Sequence, residues 1–204
     1  MRRFILLPAL IVTQLLALEA NEIIGKTVEK YRNMNTFYTE FEQGYCDEDA
    51  GTCQRYEGRT YYMRPNFFRM EIEEPKQIYV GDSVSLWIYM PDEKRAIRQE
   101  LNQMPFQISP DALFENYEED FVSSLAGEDG DNYEIVLEPK DETDIYRRLR
   151  VKIKKETFEI IGITVTDESG IESKFEFTKV EINKKIDRKI FQFDPPEGVQ
   201  VDEY

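Results

Sequence analysis

The 204-residue chain has no histidine, only two cysteines and a single tryptophan. Without histidine there is no Ser-His-Asp or Cys-His nucleophile system, and the commonest metal ligand is missing. Cys46 and Cys53 cannot complete a zinc site alone, and the six residues between them are not the CxxC spacing of redox catalysis. Positive charge is short as well. Against 41 Asp and Glu stand 26 Lys and Arg, for a net charge of -15, which argues against a surface that tracks nucleic-acid phosphates. No GxxxxGKS/T loop is present to cradle a nucleotide. Neither a cofactor nor a metal is expected. Repeats, low-complexity tracts and linkers are also lacking, so one domain is expected.

What is present begins with a leader pattern. Arg2 and Arg3 precede an apolar run from Phe4 to Leu18, and Ala20 then precedes a polar segment. Residues 1–20 thus read as a cleaved secretory signal peptide and 21–204 as the mature domain. The run is short for a bilayer span and Pro8 interrupts it. In an exported chain, Cys46 and Cys53, flanking DEDAGT between two strand-like runs, read as a disulfide that staples a hairpin.

From Asn21 to Met34, Ile23, Ile24, Thr27, Val28 and Tyr31 recur at helical spacing, which predicts an amphipathic helix lying on a sheet. Phe37 and Phe41 share one face of the next strand, and Tyr56 to Met63 returns after the cysteine hairpin. Phe68, Met70 and Ile72 alternate with Arg69, Glu71 and Glu73, the mark of a strand wet on one face. Turns are expected at Gly81-Asp82 and at Pro91-Asp92-Glu93. Between Leu101 and Ala126 the rhythm changes. Ser109 is a good N-cap with Pro110 at the first helical position, and Leu113, Phe114, Tyr117 and Phe121 fall on one helical face. Strands resume after the turn from Gly127 to Asn132 and continue to a last run, Ile190 to Phe193. The expected fold is α+β, mainly β: a strongly curved antiparallel sheet forming an incomplete barrel, with an N-terminal helix and an inserted helix over its apolar concave face.

That face collects Phe37, Phe41, Phe68, Met70, Ile72, Leu86 and Ile88, and the inserted segment adds Phe106, Leu113, Phe114 and Tyr117. Such a set makes either a filled core or an adaptable wall for flexible chains, and the pattern leaves both open. Acidic turns at Asp47-Glu48-Asp49 and Glu128-Asp129-Gly130-Asp131 lack the full calcium-loop pattern and read as solvated carboxylates. An acid-based hydrolase would need two carboxylates facing one another inside the concavity. Arg64 shares the parity of the apolar row, with Pro65 next to it, and an arginine so placed needs acceptors or water.

RPNFFR from Arg64 to Arg69, then SLWIYMPD from Ser85, then KIFQFDPPEGVQVDE from Lys189 resemble the periplasmic outer-membrane lipoprotein carriers, the LolA family. Met70 stands where many members have tryptophan, and the cysteine pair precedes the motif. The resemblance implies a non-enzymatic monomer that shields lipoprotein acyl chains. An inner-membrane ABC transporter would load it and an outer-membrane acceptor lipoprotein unload it. It implies a closing strand in the Lys189 segment, and for Arg64 a latch that holds the inserted helix closed through its backbone carbonyls. A lipid-sensing or lipoprotein-binding regulator on the same half-barrel is the second reading.

Overall fold

A helix of 26 residues, α1 (Leu7–Arg32), opens the computed structural model, which describes residues 7–47, 52–101, 117–141 and 146–204. It ends two residues short of Met34 and starts before the amphipathic segment; among the described residues no helix is long and apolar enough to cross a membrane. Its basic last turn, Lys30 and Arg32, suits the negative end of the helix dipole.

Among the described residues twelve strands follow: β1 (Thr36–Asp47), β2 (Thr52–Met63), β3 (Phe67–Ile72), β4 (Gln77–Asp82), β5 (Ser85–Met90), β6 (Arg95–Glu100), β7 (Phe121–Asp129), β8 (Asn132–Pro139), β9 (Tyr146–Lys154), β10 (Ile160–Asp167), β11 (Glu172–Ile182) and β12 (Gln200–Glu203). They form one sheet in the order β12-β6-β5-β4-β3-β2-β1-β11-β10-β9-β8-β7. The order is linear, so the curved sheet is open, as expected for an incomplete barrel. Bulges at Glu40/Phe41 and Leu125/Gly127 add local twist where the sheet must bend.

Inside the curve, Ile23, Ile24, Val28 and Tyr31 of α1 bury themselves against Phe37, Phe68, Leu86, Ile135, Leu149, Val151 and Ile153. The Tyr31 hydroxyl accepts the Ile160 N–H at 3.1 Å, which fixes the helix to β10.

Four expectations change. Gly81 and Asp82 lie within β4, and the chain turns instead at Ser83 and Val84, where the Asp82 carboxylate accepts the N–H groups of Val84 and Ser85. The helical stripe stops early: α2 (Tyr117–Asp120) is one turn long, and Phe121 opens β7, which continues through Gly127 to Asp129. Ile190 to Phe193 is not a closing strand. Arg188–Phe191 is a 3₁₀ turn with Asp187 as its N-cap, and the strand that follows is β12. β12 pairs in parallel with β6, the one non-antiparallel pairing in the described sheet.

That C-terminal strap covers a second, smaller core on the convex side. Phe191 packs on Phe67 at 6.0 Å between ring centres, and Phe193 packs on Trp87 and Tyr89 at 5.3 and 5.2 Å. Val80 and Ala96 are fully buried beneath it. Phe67 and Phe68 are thus both buried although they face opposite ways, one under the strap and the other under α1.

Candidate functional site

Register across the concave face defines three rows. The first joins Phe37, Tyr62, Phe68, Gly81 and Leu86; the second Thr39, Thr60, Met70, Tyr79, Ile88 and Ile97; the third Phe41, Gly58, Ile72 and Gln77. All seven sheet residues expected on this face are therefore brought together: Phe37, Phe68 and Leu86 in the first row, Met70 and Ile88 in the second, Phe41 and Ile72 in the third. Their environments differ. The first row is dry beneath α1, whereas Met70, Ile72, Tyr79 and Ile88 are only half-buried. The face thus passes from filled core to a partly open apolar floor.

Two glycines shape that floor. A Cβ at Gly81 would stand 2.1 Å from the Phe68 ring, and one at Gly58 would stand 2.6 Å from the Phe41 ring. Each ring lies over the glycine of a neighbouring strand, so the missing side chain lets a large aromatic lie flat on the sheet. Tyr62, Tyr79 and the two glycines escape a reading of separate strands, although the alternation of Gln77, Tyr79 and Gly81 carries part of the signal.

The three rows contain no carboxylate. Acidic residues take the other parity: Glu71 lies between Arg59 and Arg69, with salt bridges of 2.6 and 2.5 Å that hold its carboxyl below the usual range despite partial burial. At the end of β7, Glu128 pairs with Lys155 at 2.5 Å and Asp129 with Lys152 at 2.7 Å. Glu48 and Asp49 lie outside the described residues.

Arg64 sits at the end of β2, against the C-terminus of α1. Its Nε donates to the Met34 carbonyl at 2.5 Å and its Nη2 to the Arg32 carbonyl at 2.8 Å. The fork of the guanidinium fits two orphan carbonyls at a helix end. Phe106, Leu113 and Phe114 lie outside the described residues. Tyr117, in α2, reaches α1: its hydroxyl lies 3.4 Å from the Asn21 carbonyl and donates to the Glu118 carboxylate at 3.0 Å. Burial, helped by Glu118, pushes this phenol up to about 12, so it stays a neutral donor at ordinary pH. Cys46 and Cys53 stand directly opposite one another across the β1–β2 ladder.

An open, curved sheet with an apolar inner face, partly roofed by an N-terminal helix, defines a half-barrel binding protein. Residues 32–194 match the family model described as outer membrane lipoprotein carrier protein LolA, and the chain belongs to that family. The outer-membrane lipoprotein carrier protein of Chromohalobacter salexigens is 29% identical over 177 residues, covering 83% of this chain and 81% of that protein. The protein of the same description from Aliivibrio fischeri is 26% identical over 204 residues, covering 100% and 99%. A solved structure of an uncharacterized conserved protein from Thermus thermophilus shares the fold, with a TM-score of 0.59 at 14% identity over 91% of this chain and 99% of that one.

Proposed function

We propose that the chain is a periplasmic carrier that takes acylated lipoproteins from an inner-membrane ABC transporter complex to an outer-membrane acceptor lipoprotein, with the leader 1–20 removed on export. The observation that carries this reading is the half-buried, carboxylate-free apolar floor of Met70, Ile72, Tyr79 and Ile88 in a member of the carrier family. Each buried methylene is worth about 0.8 kcal/mol, so leaving an acyl chain of roughly sixteen carbons in water would cost on the order of 10 kcal/mol. A cavity over this floor, with Phe106, Leu113, Phe114 and Tyr117 supplied by the inserted segment, removes that cost without chemistry. Arg64 is its latch.

A long-chain acyl probe tests the site. Trp87 packs on the convex side against Phe193, so the fluorescence of the probe, rather than of the tryptophan, reports the concave face. Saturable binding at about one equivalent is expected, weakened at least about tenfold by Met70→Glu, which places a charge on the apolar floor. Absence of saturable binding, or indifference to the substitution, would overturn the reading.

The Cys46–Cys53 pair is read as a disulfide, supported by its register at the hairpin end. Closing so short a loop stabilises by about 2 kcal/mol in the chain-entropy view. Thiol titration in denaturant should find no free thiol before reduction, and reduction should lower the urea midpoint. Two titratable thiols in unreduced protein would exclude the bond.

A further inference from the structure

In a chain of net charge -15, several basic residues meet at one end of the sheet. Three distant segments are knotted together there. Asn183 accepts the Asn35 N–H through its side-chain oxygen at 2.7 Å and donates its own N–H to Thr36 at 2.8 Å. Arg64 donates its backbone N–H to the Asn35 carbonyl at 2.9 Å and its guanidinium to Arg32 and Met34. Arg188 lies over the Phe67 ring, 4.4 Å from its centre, just past the β2–β3 turn.

These contacts bring together the segments that carry Arg32, Arg64, Lys185, Arg188 and Lys189. Lys184 is also there, neutralised by Glu181 at 2.6 Å. Among the described residues, Arg32, Lys185, Arg188 and Lys189 form no ion pair, and all four are exposed. Asp187 caps the 3₁₀ turn by accepting the Lys189 N–H at 3.0 Å, and Asp82, opposite Phe67 in the ladder, is engaged by the N–H groups of Val84 and Ser85.

We infer that this surface docks on a membrane through anionic phospholipid headgroups, turning the α1 C-terminus and the Arg64 end of the sheet toward the bilayer. At physiological ionic strength the Debye length is about 8 Å, so carboxylates farther away are screened while the local cations act on a nearby surface. Specific protein interfaces are built around buried apolar anchors. Of the exposed large apolar residues described, only Val84, on the β4–β5 turn beside Asp82 and Phe67, borders the patch, while Val122, Val201 and Tyr204 belong to other segments; one valine makes no buried anchor, so a layer of phosphates fits this patch better than a protein hot spot. The site is separate from the acyl-binding floor, and its test does not depend on acyl binding.

The protein, purified in the form to which the cell processes it, is sedimented with vesicles of roughly one-third phosphatidylglycerol in phosphatidylethanolamine, at about 50 mM salt. Each basic residue near such a surface contributes roughly fivefold in affinity, so Lys185→Gln with Lys189→Gln should weaken binding roughly twenty-five-fold, and adding Arg188→Gln roughly a hundredfold. The double variant leaves the Arg188–Phe67 contact intact and guards against misfolding. Binding should fall steeply with added salt and be absent on phosphatidylcholine vesicles. Equal binding to neutral vesicles, no binding at low salt, or indifference to both variants would overturn the inference. If vesicle binding is absent but the same substitutions abolish a cross-link to a membrane protein, the patch recognises an acidic protein surface instead.

Discussion

Phe68→Ala is expected to lower the free energy of unfolding by about 3–5 kcal/mol, the usual range for emptying a fully packed aromatic site. Phe68 is 2% exposed and joins α1 to the first row of the concave face. Its ring also occupies the space where a Cβ at Gly81 would stand, 2.1 Å away. That overlap makes a coupled prediction. Gly81→Val alone should destabilise strongly, because the ring has no free direction beneath α1. In the Phe68→Ala background the same change should be close to neutral or stabilising, since the obstruction is gone and valine suits a strand better than glycine. A double-mutant cycle from urea midpoints therefore reads a coupling of at least about 2 kcal/mol. Gly58 supplies the contrast. There a Cβ would meet the Glu71 carbonyl oxygen at 2.5 Å as well as the Phe41 ring, and the carbonyl belongs to the sheet. Phe41→Ala should not rescue Gly58→Val. Additive changes at Gly81, or rescue at Gly58, would contradict this account of the floor.

The difference between what local pattern reveals and what it hides follows from where the partners lie. Phe68, Met70 and Ile72 alternate with charged neighbours within six residues, and each ladder pairing then carries the same parity to the next strand, so the concave face is legible without a structure. The convex core is not. Phe67, Val80 and Ala96 become buried because Phe191 arrives from the far end of the chain, and nothing near Phe67 announces that cover. KIFQF alternates like a strand, yet its rings meet the side of the sheet rather than its edge. β7 is hidden for another reason. Of its inward positions Phe121 and Leu125 are large but Ser123 is small and polar, held by the Asn21 side chain at 2.5 Å, so helix contact replaces the apolar alternation that marks a strand. Phe121 also falls at helical spacing from Tyr117, and one turn of helix ends immediately before it.

Arg64→Leu is expected to separate two duties of one side chain. The guanidinium donates to the Met34 and Arg32 carbonyls, so its loss leaves two helix-end acceptors to water and should cost about 1–2 kcal/mol of stability. Arg64→Lys should recover less than half, because a single ammonium cannot present the fork that spans both carbonyls. Those effects follow from the bonds to α1 alone. The latch role proposed above adds another. If Arg64 also stabilises the closed form over the apolar floor, removing it favours the open form, and a ligand that binds only the open form gains affinity by the fraction of closed protein released. Acyl-probe affinity should then rise about tenfold, while transfer to an acceptor falls because the closed state no longer competes with bound lipid. Stability and affinity would thus move in opposite directions in the leucine variant. A loss of stability with unchanged probe affinity and unchanged transfer would assign Arg64 to the helix end only, and the closed state of the carrier would have to be held by other residues.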